Sequence, residues 1–275
     1  MKLPLRWGLN RSFGIADVFL MTPVFAQMDT IIEAPRDCVC ALDLAEILRS
    51  VATIEIVKDP ISPEEAVRLY SPSSIPTSSG TILHAAKGHL RRYGLPETDC
   101  IPRASAPNHD LEWATIFLKA YHNPVTFAPM PGGFKNPMDR TARGKFLPPE
   151  NWNRILAENG KNHDILYFTS RDNYVPMPHC HPIIGLSPSK MAAIMQLTRK
   201  HVGVENGLLH MAIAMGCTVH AYIPSIGIYE NHCFPIYMYT QDMFGTEACR
   251  AFYHTFKSIG FDPRLTNHQV ELPPF

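Results

Sequence analysis

The sequence predicts an α/β protein in which helices cover a mostly parallel sheet. In both halves of the chain, short apolar runs rich in β-branched residues alternate with longer stretches whose apolar residues recur at helical spacing. Parallel strands need a long crossover connection, usually a helix, so this alternation indicates a parallel sheet. A content of 45% hydrophobic and 18% charged residues is typical of a soluble globular protein. At 275 residues the chain can form one large domain or two of about 120 to 150 residues.

The first half of the sequence predicts the order strand, helix, strand, helix, strand. Asp17 lies at the entrance of the first of these helices. As a helix cap its carboxylate would contribute about 0.5–2 kcal/mol, whereas a catalytic base would need a partly desolvated cleft and an acceptor hydroxyl within reach. The residues alone favour the cap. The five elements are expected at 3–7, 18–28, 30–34, 42–49 and 52–57, followed by helices at 81–93 and 111–121 and by an interdomain linker near 100–123.

The second half predicts a longer series of the same kind. Parallel strands have their carboxyl ends at the same edge of a sheet, so the strands expected at 123–128, 165–168 and 202–204 would end together. Ligands of α/β proteins bind at this edge. These ends, near residues 130, 170 and 205, therefore predict one crevice. The remaining elements are a strand at 218–223 and helices at 149–158, 189–201, 208–215 and about 246–259.

One polar turn in this series has the features of an anion site. Glu205, Asn206 and Gly207 separate the strand at 202–204 from the next helix, and His210 lies on the first turn of that helix. The free N–H groups and positive dipole end of a helix can hold a diphosphate, and glycine lets a ligand come close to the backbone. Taken alone, the stretch favours an ordinary strand–helix crossover.

A second candidate is a basic, glycine-containing loop between the strand at 123–128 and the next helix. Its cationic and hydroxyl side chains could neutralise and hydrogen-bond a diphosphate, although a solvated basic loop is the better interpretation of the loop by itself. Asp172 follows the strand at 165–168, at the end where ligands are expected. The loop residues in question are Lys135, Arg140, Thr141, Arg143 and Lys145.

Composition argues against several classes of function. Lys plus Arg equals Asp plus Glu at 25 each, so no overall field draws the protein to nucleic acid or to an anionic membrane. No apolar run reaches the roughly 20 residues of a membrane span, and the N-terminus lacks the apolar block of a signal peptide. Seven cysteines, an odd number, indicate free thiols, so we expect a cytoplasmic protein.

The pairs Cys38 with Cys40 and His179 with His181 lack the spacing of a zinc site, so no metal site is expected.

Three stretches of the sequence together resemble one enzyme family. They are GIADVFLMTP at 14–23, GKFLPPENWNRIL at 144–156 and VGVENGLLHMAIAMG at 202–216. In this order they are similar to motifs of glycosyltransferase family nine, the ADP-heptose:lipopolysaccharide heptosyltransferases and their relatives. The resemblance implies a GT-B architecture, in which two Rossmann-like domains, at 1–122 and 123–245, face a central cleft and a C-terminal helix within 246–275 packs back on the first domain. The chain departs from the family pattern at Ala16, Leu147, Glu205 and Asn206.

The resemblance also implies a reaction. Asp17 matches the family's catalytic base, which takes the proton of the acceptor hydroxyl as that hydroxyl attacks the sugar. The implied enzyme is an inverting, metal-independent transferase of the hexosyl or heptosyl class. Its donor is a nucleoside-diphosphate sugar, with ADP as one candidate nucleotide, and its acceptor is a glycan, glycolipid or similar molecule. No cofactor is implied beyond the donor itself.

The remaining candidate residues match positions that bind this donor. Thr141 and Lys145 match residues that hold the diphosphate, and Arg143 beside them can offset its charge. Asp172 lies near the place of a carboxylate that binds the ribose. The family also has a cluster of residues around the sugar and phosphates of the donor. The residues of this chain that match that cluster are Glu205, Asn206, Gly207 and His210.

Three other functions remain as alternatives. The first is transfer of a sugar to a modified DNA base, although the neutral net charge disfavours a nucleic-acid partner. The second is a non-catalytic relative that binds a nucleotide sugar, and the third is an epimerase acting on a UDP-sugar. The basic residues of the first half that could hold DNA phosphates are Arg6, Arg11, Arg91, Arg92 and Arg103. The sequence leaves the sugar, the nucleotide and the acceptor open.

Overall fold

The computed structural model describes segments of both halves of the chain. The described residues are 5–9, 15–59, 90, 94–96, 102–130, 147, 149–171, 174–204, 206–223 and 251–255. Within them the chain forms two parallel sheets, one of three strands and one of six, with helices between most of the successive strands. This confirms the predicted α/β class and the parallel pairing.

The smaller sheet contains the first three strands in the order β1-β2-β3. Each of its crossovers contains at least one helix, as the alternating pattern of the first half predicts. The strands are β1 (Leu5–Gly8), β2 (Thr30–Pro35) and β3 (Thr53–Val57), and the helices are α1 (Ile15–Leu20), α2 (Thr22–Gln27) and α3 (Val39–Leu48).

The helix predicted at 18–28 is divided at Met21 into α1 and α2. Pro23 has no N–H group, so it cannot donate to the carbonyl of Phe19, four residues earlier. The hydroxyl of Thr22 donates to that carbonyl instead, at 2.8 Å. Proline suits the first turn of a helix, where an N–H group would have no intrahelical partner, and it therefore begins α2 rather than continuing α1.

The larger sheet has the order β6-β5-β4-β7-β8-β9, and every pair in it is parallel. From β4 the chain adds strands on one side and then returns to the other side with β7. The strands are β4 (Val125–Ala128), β5 (Ile165–Thr169), β6 (His181–Ile184), β7 (Lys200–Val204), β8 (Thr218–Ile223) and β9 (Ala251–Thr255). The helices are α4 (Asn108–Leu118), α5 (Pro149–Asn159), α6 (Pro188–Thr198) and α7 (Gly207–Ala214). The strand order therefore reverses between β4 and β7.

The structure corrects the sequence-based expectations at three places. The helix expected at about 246–259 is wrong over Ala251–Thr255, which forms β9 beside β8, because its aromatic residues pair well in a sheet. The short strand β6 was not predicted, since it contains a proline and lies at the edge of the sheet. The helix expected to reach His201 ends earlier, because Arg199 adopts a left-handed conformation with φ 60°.

The hydrophobic core covers both faces of the larger sheet. On one face a continuous cluster extends from α1, α2 and β2 to α6 and α7, and it includes Phe19, Phe25, Ile32, Met195 and Met211. On the other face α5 places Trp152 between Phe127 and Tyr222. The centroid of the Trp152 ring lies 5.0 Å from that of Phe127 and 5.2 Å from that of Tyr222. The larger sheet is thus covered on two sides, as expected for parallel strands.

A linking segment, residues 103–106, is bonded to elements of both halves. Its backbone N–H groups donate to the hydroxyls of Thr22 and Ser50 at 3.1 and 3.0 Å in the first half. In the second half they donate to the Ala214 carbonyl at 3.0 Å and to Gln196 Oε1 at 2.8 Å. The chain therefore contacts both sheets' helices just before α4 begins. The division into domains at 122 and 123 stays a prediction.

Candidate functional site

The strand order reverses between β4 and β7, and the carboxyl ends of these two strands lie side by side. Crossovers on either side of such a reversal run to opposite faces of the sheet, and the gap between them is where open α/β sheets bind ligands. Met130 follows β4 at this edge, and Asn206 and Gly207 follow β7. Two of the three strand ends named from the sequence, near 130 and 205, are thus neighbours.

Asn206 joins these two strand ends. Its Oδ1 accepts from the N–H of Leu209 at 3.0 Å and so caps α7. Its Nδ2 donates to the carbonyls of Ala128 and Met130, at 3.3 and 2.9 Å. The side chain is 8% exposed, so these contacts are made away from solvent. The amide is therefore occupied by the protein's own groups, and its predicted contact with a donor stays a prediction.

Gly207 brings the start of α7 against the start of α1. A Cβ atom at this position would lie 2.8 Å from the Cβ of Ile15 and 3.3 Å from the backbone nitrogen of Ala16. Real Cβ atoms do not approach so closely, so only glycine fits without a shift of the backbone. The stretch at 14–23 and the stretch at 202–216, far apart in the sequence, are in direct contact in the structure.

This contact brings the helix of Asp17 to the crevice. Asp17 is the third residue of α1, two positions after Ile15, and α1 packs along α7. Its backbone is described, but the position of its side chain lies outside the described structure. The role of Asp17 as a base therefore stays a prediction.

His210 is fully buried on the first turn of α7. It lies on a helix whose residues 209–214 are all buried against the core. Its ring consequently faces the protein interior, and its predicted part in donor binding stays a prediction.

The other predicted site residues lie outside the described residues. Residues 131–146 lie outside the described residues, between Met130 and Leu147, and Leu147 is fully buried in the core cluster that also contains Trp152. The residues concerned are Thr141, Arg143, Lys145, Asp172 and Glu205.

Sequence reasoning missed a buried polar pair beneath the crevice, formed by His201 on β7 and Thr126 on β4. The Thr126 hydroxyl donates to the Lys200 carbonyl at 3.0 Å, so it accepts from His201 Nδ1, 2.9 Å away. Complete burial lowers the pKa of His201 to about 3, and the imidazole is neutral. A histidine within an apolar strand was the only signal in the sequence.

Charges in the smaller sheet are paired across its strands. Arg6 on β1 donates through Nε to Glu33 Oε1 on β2 at 2.7 Å, and it also bonds Glu55 on β3. These hydrogen bonds raise the pKa of the Arg6 guanidinium above its usual value. Two carboxylates around one guanidinium leave this patch unsuited to nucleic-acid phosphates. Arg11, Arg91 and Arg92 lie outside the described residues.

The part of the chain that the structure describes contains neither a metal-binding cluster nor a membrane-spanning helix. No three His, Cys, Asp or Glu side chains of the described residues come together as metal ligands. No described helix has the length and apolar character that crossing a membrane requires.

Comparison with known proteins finds similarity in structure only. No family model and no curated protein matches the sequence. The chain is similar to a family 9 glycosyl transferase from Veillonella parvula, with a TM-score of 0.55 and 11% identity over 93% of this chain and 88% of that one. It is also similar to the ADP-heptose lps heptosyltransferase II of E. coli, with a TM-score of 0.51 and 11% identity over 95% and 96% of the two chains.

A third similar structure is the iron-containing dodecameric glycosyltransferase TibC of enterotoxigenic E. coli. Its TM-score is 0.53 and its identity 13%, over 80% of this chain and 58% of that one. At such identities the likeness shows a shared fold. Two of these three proteins are described as a family 9 glycosyl transferase and an ADP-heptose lps heptosyltransferase, which are names of the family that the three sequence stretches resemble.

Proposed function

We propose that the chain is an inverting, metal-independent glycosyltransferase of the GT-B type, with residues 1–122 on the acceptor side and 123–245 on the donor side. The observation that carries the proposal is the contact of Gly207 with Ile15 and Ala16. It joins the helix of the proposed base to a helix N-terminus that lies at the reversal of strand order. Base and donor site must lie this close for a direct displacement, because reacting atoms need to approach to about 3–3.5 Å.

In the proposed reaction the donor diphosphate lies at the N-terminus of α7. The carboxylate of Asp17 takes the proton of the acceptor hydroxyl, whose oxygen forms a bond to the anomeric carbon. The bond from that carbon to the diphosphate breaks, and the nucleoside diphosphate leaves with the electron pair. Thr141, Arg143 and Lys145 would stabilise the charge that develops on the diphosphate, together with the dipole of α7. In this scheme the protein's own cations do the work that a metal does in other transferases.

The similar structures suggest which donor to test first. TibC has been solved with ADP-D-β-D-heptose, and the chain matches that structure with a TM-score of 0.53 at 14% identity. An ADP-linked sugar is therefore our first candidate for the donor. The expected acceptor is a carbohydrate hydroxyl, as the family resemblance implies.

Binding of nucleoside diphosphates tests the donor site. ADP, UDP, GDP and CDP and their common sugars are added at about 100 times the dissociation constant, where a ligand should stabilise the protein by about 2.7 kcal/mol. We expect one nucleotide to raise the melting temperature, and we expect Lys145→Ala to reduce that effect. Absence of a shift with every nucleotide would reject the donor site and the proposal with it.

The Asp17→Asn variant tests transfer itself. Without a base the transfer rate should fall by about 10²–10⁴-fold, whereas the affinity for the nucleoside diphosphate should be unchanged. Mass spectrometry of the products separates the alternatives, because an epimerase yields an isomerised donor and a non-catalytic relative yields no product. An Asp17→Asn enzyme as active as the parent would show that another group takes the proton.

A further inference from the structure

A row of aromatic rings crosses the face of the larger sheet that α5 covers, and the last ring of the row is exposed. In order, the row consists of Tyr222, Trp152, Phe127, Tyr167 and Tyr174. Successive ring centroids lie 5.2, 5.0, 5.7 and 6.2 Å apart, within the range over which aromatic rings attract each other. The first four residues are at most 1% exposed, whereas Tyr174 is 40% exposed. Tyr174 therefore presents to solvent a ring that the core supports from beneath.

Tyr174 lies in the connection from β5 to β6. Because these two strands are parallel, the connection starts at the carboxyl edge of the sheet, after Thr169, and returns to the amino edge at His181. Its later part runs beside the end of α5, where a Cβ atom at Gly160 would lie 3.6 Å from the Cβ of His179. Tyr174 belongs to the first half of this connection, so its ring lies towards the edge at which the strand order reverses.

The segment that carries Tyr174 is held by the residues that follow it. Pro176 and Pro178 fix the backbone angle φ on either side of Met177. Met177 is 8% exposed and belongs to the core cluster that also contains Trp152. A tyrosine ring offers a large, rigid contact area and has few rotatable bonds to immobilise when a ligand binds. The ring of Tyr174 is therefore organised for contact before any ligand arrives.

A nucleobase is the ligand that suits this ring at this edge of the sheet. Neighbouring strands lie about 4.8 Å apart, so β5, which is two strands from β7, lies about 10 Å from it. Nucleotides bound to doubly wound sheets extend along the carboxyl ends of neighbouring strands, with their phosphates at a helix N-terminus. Every base has a flat π-face that stacks on an aromatic side chain. A nucleotide whose diphosphate lies at α7 can thus extend across β4 and bring its base to Tyr174.

We propose that Tyr174 is the platform on which the nucleobase of the donor stacks. The inference rests on the function proposed above, because that function places the diphosphate at α7. None of the three sequence stretches that resemble the enzyme family contains Tyr174. Since stacking accepts any base, the platform contributes affinity for the nucleotide, and the choice among bases depends on other contacts.

Nucleotide binding by folded variants tests the platform. The probes are inorganic diphosphate and whichever of ADP, UDP, GDP and CDP the parent binds most tightly. Tyr174→Ala should weaken nucleotide binding about tenfold and leave the affinity for inorganic diphosphate unchanged, because only the nucleotide has a base. Tyr174→Phe keeps the ring and should bind the nucleotide as the parent does. Equal nucleotide affinity in Tyr174→Ala and the parent would overturn the proposal.

Tyr121→Ala is the matched control for the loss of a tyrosine ring. Tyr121 also contacts aromatic neighbours, Phe117 and His181, but it precedes β4 and so lies at the opposite, amino edge of the sheet. Its removal should leave nucleotide affinity unchanged. A loss as large as that of Tyr174→Ala would mean that removal of any tyrosine from this sheet weakens binding, and would overturn the specific role of Tyr174.

Nitration of the parent protein by tetranitromethane tests the same point without a substitution. Tyr174 should react faster than the buried Tyr167 and Tyr222, as peptide mass spectrometry would show. A nucleotide at about ten times its dissociation constant should slow nitration of Tyr174 about tenfold, because only the free protein exposes the ring. Inorganic diphosphate should give no such protection, and Tyr121 should react at one rate throughout. Equal protection by diphosphate would show that the base does not cover the ring, and would overturn the proposal.

The two levels of the argument fail in different ways. A parent protein that binds none of the four nucleotides would reject the proposed function and the platform together. A parent that binds a nucleotide without protecting Tyr174 would reject the platform and leave the donor site in place.

Discussion

The N-termini of α6 and α7 are built alike but are completed differently. Each is preceded by a capping residue whose side chain accepts a hydrogen bond from a backbone N–H group in the first turn of the helix. The capping residue is Ser187 for α6 and Asn206 for α7. At α6 a carboxylate from another helix is added, because Asp43 on α3 accepts from the N–H and the hydroxyl of Ser189, both at 2.8 Å. Among the described residues, no protein group accepts from the N–H groups of Gly207 and Leu208 at α7.

This difference separates a structural use of a helix N-terminus from one open to a ligand. At α6 the positive end of the dipole meets a negative charge that belongs to the protein. At α7 the cap is a neutral amide, so the dipole keeps its attraction for an anion from outside. The same local chemistry therefore joins the two halves at α6, whereas at α7 the cap carries no charge, which suits the diphosphate that we propose to bind there.

The largest expected effect comes from adding one methyl group at α7. In Gly207→Ala the new Cβ would lie 2.8 Å from the Cβ of Ile15, so α1 or α7 must move. We expect a loss of about 1–3 kcal/mol of unfolding free energy from overpacking, and a loss of nucleotide affinity of at least about tenfold. Denaturant unfolding and titration calorimetry measure the two quantities.

A compensating change shows whether the contact itself is responsible. Ile15→Gly removes the nearest atom and should restore part of both losses in the double variant, although the glycine will cost some helix stability. If Gly207→Ala binds nucleotide as the parent does, the start of α7 is not where the donor lies.

The second effect is expected at α6 and should leave binding alone. Asp43→Ala removes a charged acceptor from two hydrogen bonds, so we expect the unfolding free energy to fall by about 2 kcal/mol. Asp43→Asn keeps one acceptor oxygen and should lose about half as much. Nucleotide affinity should be unchanged in both folded variants. An affinity that falls together with stability would show that the two helix ends are not independent.

The smallest expected effect is a dependence of the free energy of unfolding on pH, caused by the buried His201. The pKa of His201 is lowered from 6.5 to about 3 in the folded protein, so below pH 6.5 the unfolded chain takes up a proton that the folded chain does not. Stability should therefore fall as the pH drops from 6.5 towards 3, by about 1.4 kcal/mol at pH 5.5.

His201→Asn provides the test of this pH dependence. The amide nitrogen can replace Nδ1 in the bond to Thr126 but cannot be protonated in this range. The difference in unfolding free energy between parent and variant should thus change with pH only below 6.5. A difference that is constant from pH 8 to 5 would mean that His201 is not the group that titrates.

Local patterns in the sequence predicted most of the described strands and helices. The apolar runs of β2, β4, β5 and β8 and the polar turn before α7 are visible in sequence, because burial and helix capping leave a signature within a few residues. The edge strand β6 leaves little signature, since most of its residues are exposed and one is proline. For β9, pairing with β8 outweighed a stretch that could also be helical.

The long-range contacts around the turn at 205–207 could not be predicted from the sequence. The turn at 205–207 was identified, whereas the partners of Asn206 lie 78 and 76 residues earlier in the chain and no local rule connects them. The contact of Gly207 with Ile15 has the same origin. Asp43 was read only as part of a helix, because its partner Ser189 is 146 residues away.

The linking segment at 103–106 has a consequence for how the protein can be divided. Its N–H groups are shared between acceptors of both halves, and the core cluster beneath it runs from one half into the other without a break. A gene cut between the halves would yield two fragments, each with an apolar helix face that only the other can cover. Such fragments would be expected to aggregate when made separately and to recover a native-like fold when made together, so the chain would behave as one cooperative unit in complementation.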